Sequence, residues 1–238
     1  MCGRYHLSRQ GKEVAEEFET EEEVEWTPRY NIAPSDPIPT VLQDASKPVR
    51  HLALMRWGMI PFWAKDTSIG FKTINGMSET AASKPAFRES MRTRRCLIPG
   101  TGFYEWKKIG PKEKQPYNFG MADDSIFAFA GLWDRWKDAA GKEILSCTIL
   151  TTKPNGLVAD VHDRMPAILH PDDYDLWLDP GIIDPARVAN LLTPFDAQLM
   201  KKYPVSTRVN SVKNDDSECA REIKLIDAAT PSHQQMLF

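Results

Sequence analysis

The sequence predicts an α+β fold, a single strand-dominated mixed domain with peripheral helices. Three observations carry this. Apolar runs at 51–60, 126–133 and 144–152 are rich in β-branched and aromatic residues and too short for long helices. Eighteen prolines punctuate the chain and keep its elements short. The runs do not alternate with long helical stretches as βαβ units would, and no internal repeat is present.

Residues 9–23 predict an acidic surface helix. Positions 13–25 hold eight Glu and no Lys or Arg, and Val14, Ala15 and Phe18 give a thin apolar stripe. A strand follows over 51–60. Asn75-Gly76 by itself reads as a hairpin turn. A helix is predicted over 84–94, then strand pieces at Leu97, Ile98 and 102–106 around Pro99-Gly100. The runs at 126–133 and 144–152 are the next strands. Short helices are predicted at 154–161, 171–178 and 185–192, each led by a proline suited to a first helical turn. Residues 227–238 contribute little core and read as an exposed tail, leaving 1–226 as the domain.

With 238 residues, 42% hydrophobic and 26% charged, the chain has the profile of a globular protein able to bury a core unaided. It has no run of about 18 apolar residues, so no membrane-spanning helix is predicted. The opening residues lack the basic flank and apolar stretch of a secretory signal. A formal charge of −3 excludes a uniformly basic nucleic-acid coat. Residues 84–114 nevertheless carry nine Lys or Arg against three acids. That run reads either as a solvated face or as a phosphate-facing side.

Four cysteines, Cys2, Cys96, Cys147 and Cys219, form no C-x-x-C pair. Reduced thiols in a cytosol are expected. Cys96 and Cys147 sit in apolar runs as small buried hydrophobes. The five histidines show no ligand spacing, so no metal is expected, and no nucleotide-binding glycine loop points to a cofactor.

Cys2 is chemically distinctive. Removal of Met1 would leave an α-amine and a β-thiol on one short framework, with ordinary pKa values of about 8 and 8.5. The amine can add to an aldehyde to give an imine, and the thiol can close on it as a thiazolidine. The same pair could serve an N-terminal nucleophile hydrolase, the amine acting as base. Glu105, among the aromatics of Gly102-Phe103-Tyr104-Glu105-Trp106, is a carboxyl whose surroundings favour a raised pKa. His162 lies in the polar stretch Val161-His162-Asp163-Arg164-Met165-Pro166. Each residue alone is weak evidence.

Together the motifs carry more. Met1-Cys2-Gly3-Arg4, Arg29-Tyr30-Asn31-Ile32-Ala33-Pro34, Arg56-Trp57-Gly58-Met59-Ile60-Pro61, Asn75-Gly76-Met77-Ser78-Glu79-Thr80, the Glu105 and His162 motifs, Pro204-Val205-Ser206 and Val212-Lys213-Asn214 occur in this order. The whole resembles the SOS-response-associated peptidase (SRAP) family from Cys2 to about Asn214. The resemblance implies a barrel-like sheet core and an abasic-site shield that binds single-stranded DNA. Such a shield crosslinks covalently to the ring-opened sugar aldehyde. On this resemblance Cys2 supplies the amine and thiol, and Asn75 holds the sugar or the amine. Glu105 assists imine formation, and His162 is the general acid/base at the opened sugar. Arg4, Asn31, Thr151 and Arg164 match positions near the phosphate backbone. Pro34, Phe62 and Trp63 match an apolar wedge on which bases stack; the lesser alternative for Trp63 is a core aromatic. The chain departs at Met77, where the family commonly has an arginine. Lys72, Arg88 or another member of the basic run would have to compensate.

Gln234, Leu237 and Phe238 resemble the short peptide by which bacterial repair and replication proteins dock on the sliding clamp. With it comes the expectation of a cytoplasmic, nucleoid-associated bacterial monomer acting on single-stranded DNA. Two other readings stand beside this one. The first is a cysteine peptidase using Cys2 with His162 or Glu105, whose only cleavage could be removal of Met1. The second is a noncatalytic DNA-binding scaffold that recruits factors through its tail.

Overall fold

The computed structural model of the protein describes residues 2–44 and 48–225. Its first strands are β1 (Tyr5–Leu7), β2 (Arg29–Ile32), β3 (Pro37–Gln43), β4 (Arg50–Trp57) and β5 (Asn75–Met77). Then come β6 (Arg95–Gly100), β7 (Gly102–Lys108), β8 (Lys114–Met121), β9 (Phe127–Lys137) and β10 (Glu143–Thr152). The short β11 (Met165–Pro166), β12 (Ile168–Leu169) and β13 (Met200–Pro204) complete the described strands. The helices are brief: α1 (Gly11–Glu17), α2 (Ser78–Ala81), α3 (Arg88–Thr93) and α4 (Tyr174–Leu178). No described helix is long and apolar enough to cross a membrane.

Strands β3, β4, β10, β9 and β6 pair in a closed circuit, a small barrel. Four of its joints are antiparallel. The fifth, β10 with β4, is parallel and short, with Ser146 opposite Arg56 and Cys147 opposite Trp57. Further along β10, β5 takes over in the same direction, with Ile149 opposite Asn75. β4 and β5 are thus two halves of one line, and residues 58–74 are an excursion between them.

The excursion is tied shut at its base. Gly58 N–H donates to the Cys147 carbonyl (2.8 Å) and Ile149 N–H to that of Ile74 (3.1 Å). The Trp57 indole N–H donates to the Ile74 carbonyl (2.9 Å), and the Thr73 hydroxyl to the Met59 carbonyl (2.5 Å). Gly58 has φ +116°, and a Cβ there would lie 2.6 Å from the Gly70 carbonyl oxygen. Both the left-handed backbone and the close crossing demand glycine.

A second sheet, β13-β8-β7-β1-β2, packs on the barrel. Tyr5 of β1 sits edge-on to Trp57 (5.4 Å) and Phe129 (5.6 Å), and Phe103 stacks on Phe119 (5.1 Å). All five side chains are fully buried. Each contributes about 1.5–3 kcal/mol by burial, plus the edge and stacking terms.

The segment after β13 is clasped to β2. The Asp215 carboxylate accepts from Tyr30 N–H (2.6 Å) and Asn31 N–H (2.8 Å) and pairs with Arg29. The Asn31 amide donates to the carbonyls of Val209, Ser211 and Asn214. The stretch 209–215, which holds the motif at 212–214, is therefore a closure device.

Several expectations need correction. The acidic helix ends at Glu17, because Glu19 turns left-handed (φ 51°) and the Glu-rich stretch beyond it has no apolar stripe to bury. Asn75-Gly76 is no hairpin turn; it is the start of β5, held by parallel pairing with β10. Residues 154–161 are turns rather than a helix, because the Asn155 side chain accepts from Leu157 and Val158 N–H. Residues 185–192 form two 3-10 turns. The basic run is divided. Arg95 is buried, its guanidinium donating to the carbonyls of Trp177, Asp179, Met91 and Arg92, while Lys107, Lys108, Lys112 and Lys114 lie on the β7–β8 hairpin. The tail residues Gln234, Leu237 and Phe238 lie outside the described residues.

Asp215→Ala removes the acceptor of two backbone N–H groups and one partner of Arg29. Urea denaturation is expected to show a loss of about 2–4 kcal/mol, and a much smaller one for Asp216→Ala in the more exposed pair with Arg208.

Candidate active site

Cys2 leads directly into β1, the strand between β2 and β7. It is fully buried. The Asn75 amide, at the first position of β5, donates to the Cys2 carbonyl at 2.7 Å. This bond crosses from the barrel to the second sheet and fixes where the chain begins. The Asn75 Oδ1 is buried without a hydrogen-bond partner among the described residues.

Glu105 projects from β7, the neighbour of β1, and is buried. Burial pushes its carboxyl up to about 7. Burial likewise raises the Cys2 thiol far above its usual range, and the Glu105 negative charge adds to the rise. Charge at either group disfavours charge at the other.

His162 follows the Asn155 turn and precedes β11. Its Nδ1 accepts from the Arg164 backbone N–H (3.1 Å), which leaves the neutral ring's proton on Nε2, 4.0 Å from Glu105 Oε2. The Asp163 carboxylate is 3.0 Å from Nδ1 but almost wholly in water, so the backbone bond decides the tautomer. Burial lowers the His162 pKa, favouring the neutral ring. Cys2, Asn75, Glu105 and His162 thus come from four chain segments to one place. Among the described residues no cluster of His, Cys, Asp or Glu could hold a metal.

Two arginines flank this group. Arg4 Nη1 donates to Asn31 Oδ1 (2.7 Å) and the Val209 carbonyl (2.8 Å), with its guanidinium 5.9 Å from the Trp106 ring centre. Arg164 donates to the Thr151 carbonyl (2.6 Å) and forms a two-pronged pair with Glu79 (2.7 and 2.8 Å). Asn31 and Thr151 are buried, so in this structure they position the two arginines instead of facing outward themselves. Glu79 is not singled out by the sequence although it lies within the Asn75 motif. Its only signal there was its charge.

Phe62 and Trp63 lie on the 58–74 excursion and are exposed. Trp63 is therefore not a core aromatic. The Phe62 backbone is anchored by Asp134, and the Ala64 carbonyl by the Trp136 indole. Pro34 is half-buried beside Ser35, whose φ is +80°. Met77 is exposed at the end of β5.

The sequence matches the family model described as SOS response associated peptidase (SRAP) over residues 1–212. The chain belongs to that family. Among relatives of this SRAP chain, the abasic site processing protein YoqW of Bacillus subtilis (strain 168) is 44% identical over 221 residues, covering 92% of this chain and 98% of its own. The abasic site processing protein HMCES of Gallus gallus is 34% identical over 269 residues, covering 94% of this chain and 79% of its own. A crystal structure of a Bacteroides thetaiotaomicron protein superposes with a TM-score of 0.84 at 29% identity, covering 94% of this chain and all of the other. One from Bordetella bronchiseptica gives 0.74 at 27% identity over 86% of the SRAP chain. The strand-rich SRAP fold expected from the sequence is the one observed.

The raised Glu105 pKa has a consequence for stability. The folded state keeps a proton to about pH 7 that the unfolded chain releases near 4.5. Stability attributable to Glu105 is therefore highest below pH 4.5 and falls as pH rises through 7. Glu105→Gln is expected to gain about 2 kcal/mol relative to the parent between pH 5 and pH 8 in paired urea titrations. A pH-independent difference would contradict this.

Proposed function

We propose that this chain processes abasic sites in single-stranded DNA by covalent capture through Cys2. Two relatives carry abasic-site processing in their names. The observation that carries the chemistry is the convergence of Cys2, Asn75, Glu105 and His162, with Glu105 poised near neutrality.

After Met1 is removed, the Cys2 amine attacks the C1′ aldehyde of the ring-opened sugar and gives a carbinolamine. Glu105, part-protonated at neutral pH, donates a proton to the departing hydroxyl, and water leaves as the imine forms. The Cys2 sulfur then adds to the imine carbon, and its proton passes to the nitrogen. The product is a five-membered thiazolidine. No oxidant or reductant is needed. His162, with its Nε2 proton, serves ring opening as acid and base. The free Asn75 Oδ1 is an acceptor suited to the mature amine. Arg4 and Arg164 serve the phosphates, with Asn31 and Thr151 holding them, while Phe62, Trp63 and Pro34 support the bases.

The thiol's raised pKa favours capture over peptidase chemistry. A cysteine peptidase needs an activated thiolate, whose pKa is depressed. Capture begins with the amine and engages the sulfur only at ring closure. Docking of Gln234, Leu237 and Phe238 on a sliding clamp is a separate proposal about the tail.

The test is intact mass after incubation with an oligonucleotide bearing one abasic site. The expected product is protein lacking Met1 plus oligonucleotide minus one water, stable to denaturation without added reductant. Cys2→Ala should give none. Cys2→Ser should give only a labile imine. His162→Ala and Glu105→Gln should each slow capture by about 100-fold. Mature protein that forms no adduct would sink the capture reading and bring the peptidase forward.

A further inference from the structure

The 58–74 excursion carries an aromatic that none of the site assignments uses. Phe71 is 65% exposed, more than Phe62 (60%) or Trp63 (49%) on the same loop. A phenylalanine ring left in water forgoes most of the stabilisation that burial would give it. Its position is nevertheless fixed. The next residue but one, Thr73, bonds back to Met59, and the preceding Gly70 is locked against Gly58. Beside the ring lies Arg56, its guanidinium centre 5.7 Å from the ring centroid. Arg56 is held in turn by the Ser35 hydroxyl (2.7 Å) and carbonyl (3.5 Å), next to Pro34. One face of the ring is thus covered by a cation, and its large exposure leaves the other for a partner.

We infer that Phe71, backed by Arg56, is a stacking platform for a nucleobase flanking the captured lesion. This rests on the single-stranded DNA reading above. Three features favour a base over an apolar protein partner. A flat ring with a cation behind it suits a π-face, and the same cation attracts the phosphates that accompany the base. The platform is rigid and costs little ordering on binding. It also stands only four residues from Asn75, which holds Cys2. Four residues span at most about 14 Å between Cα atoms. The platform therefore stands within a few nucleotide lengths of the residue that holds Cys2. Ring-on-base stacking tolerates any sequence, as a lesion reader that meets arbitrary flanks requires.

The experiment is a coupling cycle by fluorescence anisotropy. The mature parent, Phe71→Ala and Phe71→Trp are titrated with a single-stranded oligonucleotide whose lesion is a tetrahydrofuran sugar, which cannot open to an aldehyde, so that binding is reversible. They are then titrated with a series in which one flanking base at a time is replaced by a base-less tetrahydrofuran sugar. Phe71→Ala is expected to weaken binding to the parent oligonucleotide about 5- to 100-fold. One spacer position should weaken the parent protein similarly and leave Phe71→Ala unaffected. Phe71→Trp should restore both the affinity and the sensitivity to that position. Because Phe71 is exposed, the variants should melt with the parent, which separates binding from folding. Three results overturn the inference. Phe71→Ala could bind every oligonucleotide like the parent, or every spacer could add to it. Alternatively, Phe71→Ala could abolish a concentration-dependent dimer while leaving DNA binding unchanged, which would make the ring a self-association contact. Adduct formation by the parent in any of these cases leaves the capture reading intact. A parent that neither binds nor forms an adduct removes both.

Discussion

The hydrogen-bonded line along one side of β10 is the constraint on which the rest depends. A barrel closes only if its last strand finds a partner, and here that partner comes in two pieces. β4 supplies the first two positions and β5 the next three, both parallel to β10. Parallel pairing is the weaker kind per residue, so it needs help. The help comes from the Trp57 indole, the Thr73 hydroxyl and the two glycines that let the loop's ends cross. The interruption does two jobs at once. It lets the chain leave the barrel long enough to carry three aromatics outside. It also returns the chain at the residue, Asn75, that ties the chain's beginning to the barrel.

The site works by placing charge where water is scarce. Burial holds the Glu105 carboxyl up to about 7, and burial together with the Glu105 charge raises the Cys2 thiol, so the thiol is neutral and the carboxyl part-protonated near neutral pH. A neutral acid and a thiol beside a carbonyl-anchored backbone are suited to a reaction that needs proton transfer in both directions. The arginines stand apart from this group. Each is oriented by a buried neutral partner, Asn31 or Thr151, which fixes direction without cancelling charge. Glu79 is the exception, because its carboxylate offsets the charge of Arg164. The exposed Met77 leaves this side of the site with less positive charge than the resemblance led one to expect.

Sequence reading singled out Cys2, Asn75, Glu105 and His162, which the fold brings together, because they sit in short, ordered motifs with unusual composition. Strand content was legible where apolar residues clustered, as in β9 and β10. It was lost where prolines or polar residues break the pattern. β3 begins Pro37-Ile38-Pro39, and β8 runs Lys114-Gln115-Pro116-Tyr117-Asn118 before reaching its apolar end. The Asn75-Gly76 turn failed because local propensity cannot see a partner strand some seventy residues away. The bonds by which Asn31 holds the segment after β13 are likewise invisible in its motif. A side chain that satisfies three carbonyls of a segment nearly 180 residues later leaves no mark in its own neighbourhood. Arg95 misled for the same reason, since composition records its charge and not its burial.

The position of β1 bears on the order of events at the ribosome. β1 is an inner strand, and its partner β7 begins at Gly102. About a hundred residues must therefore be made before the chain's start can be locked in place, some 5–20 seconds at ordinary elongation speeds. Through that interval the first strand has β2 alone to pair with. Once β7 docks, β1 is held on both sides and Cys2 is buried. The part of the chain made first is thus fixed only when a strand a hundred residues on has been made.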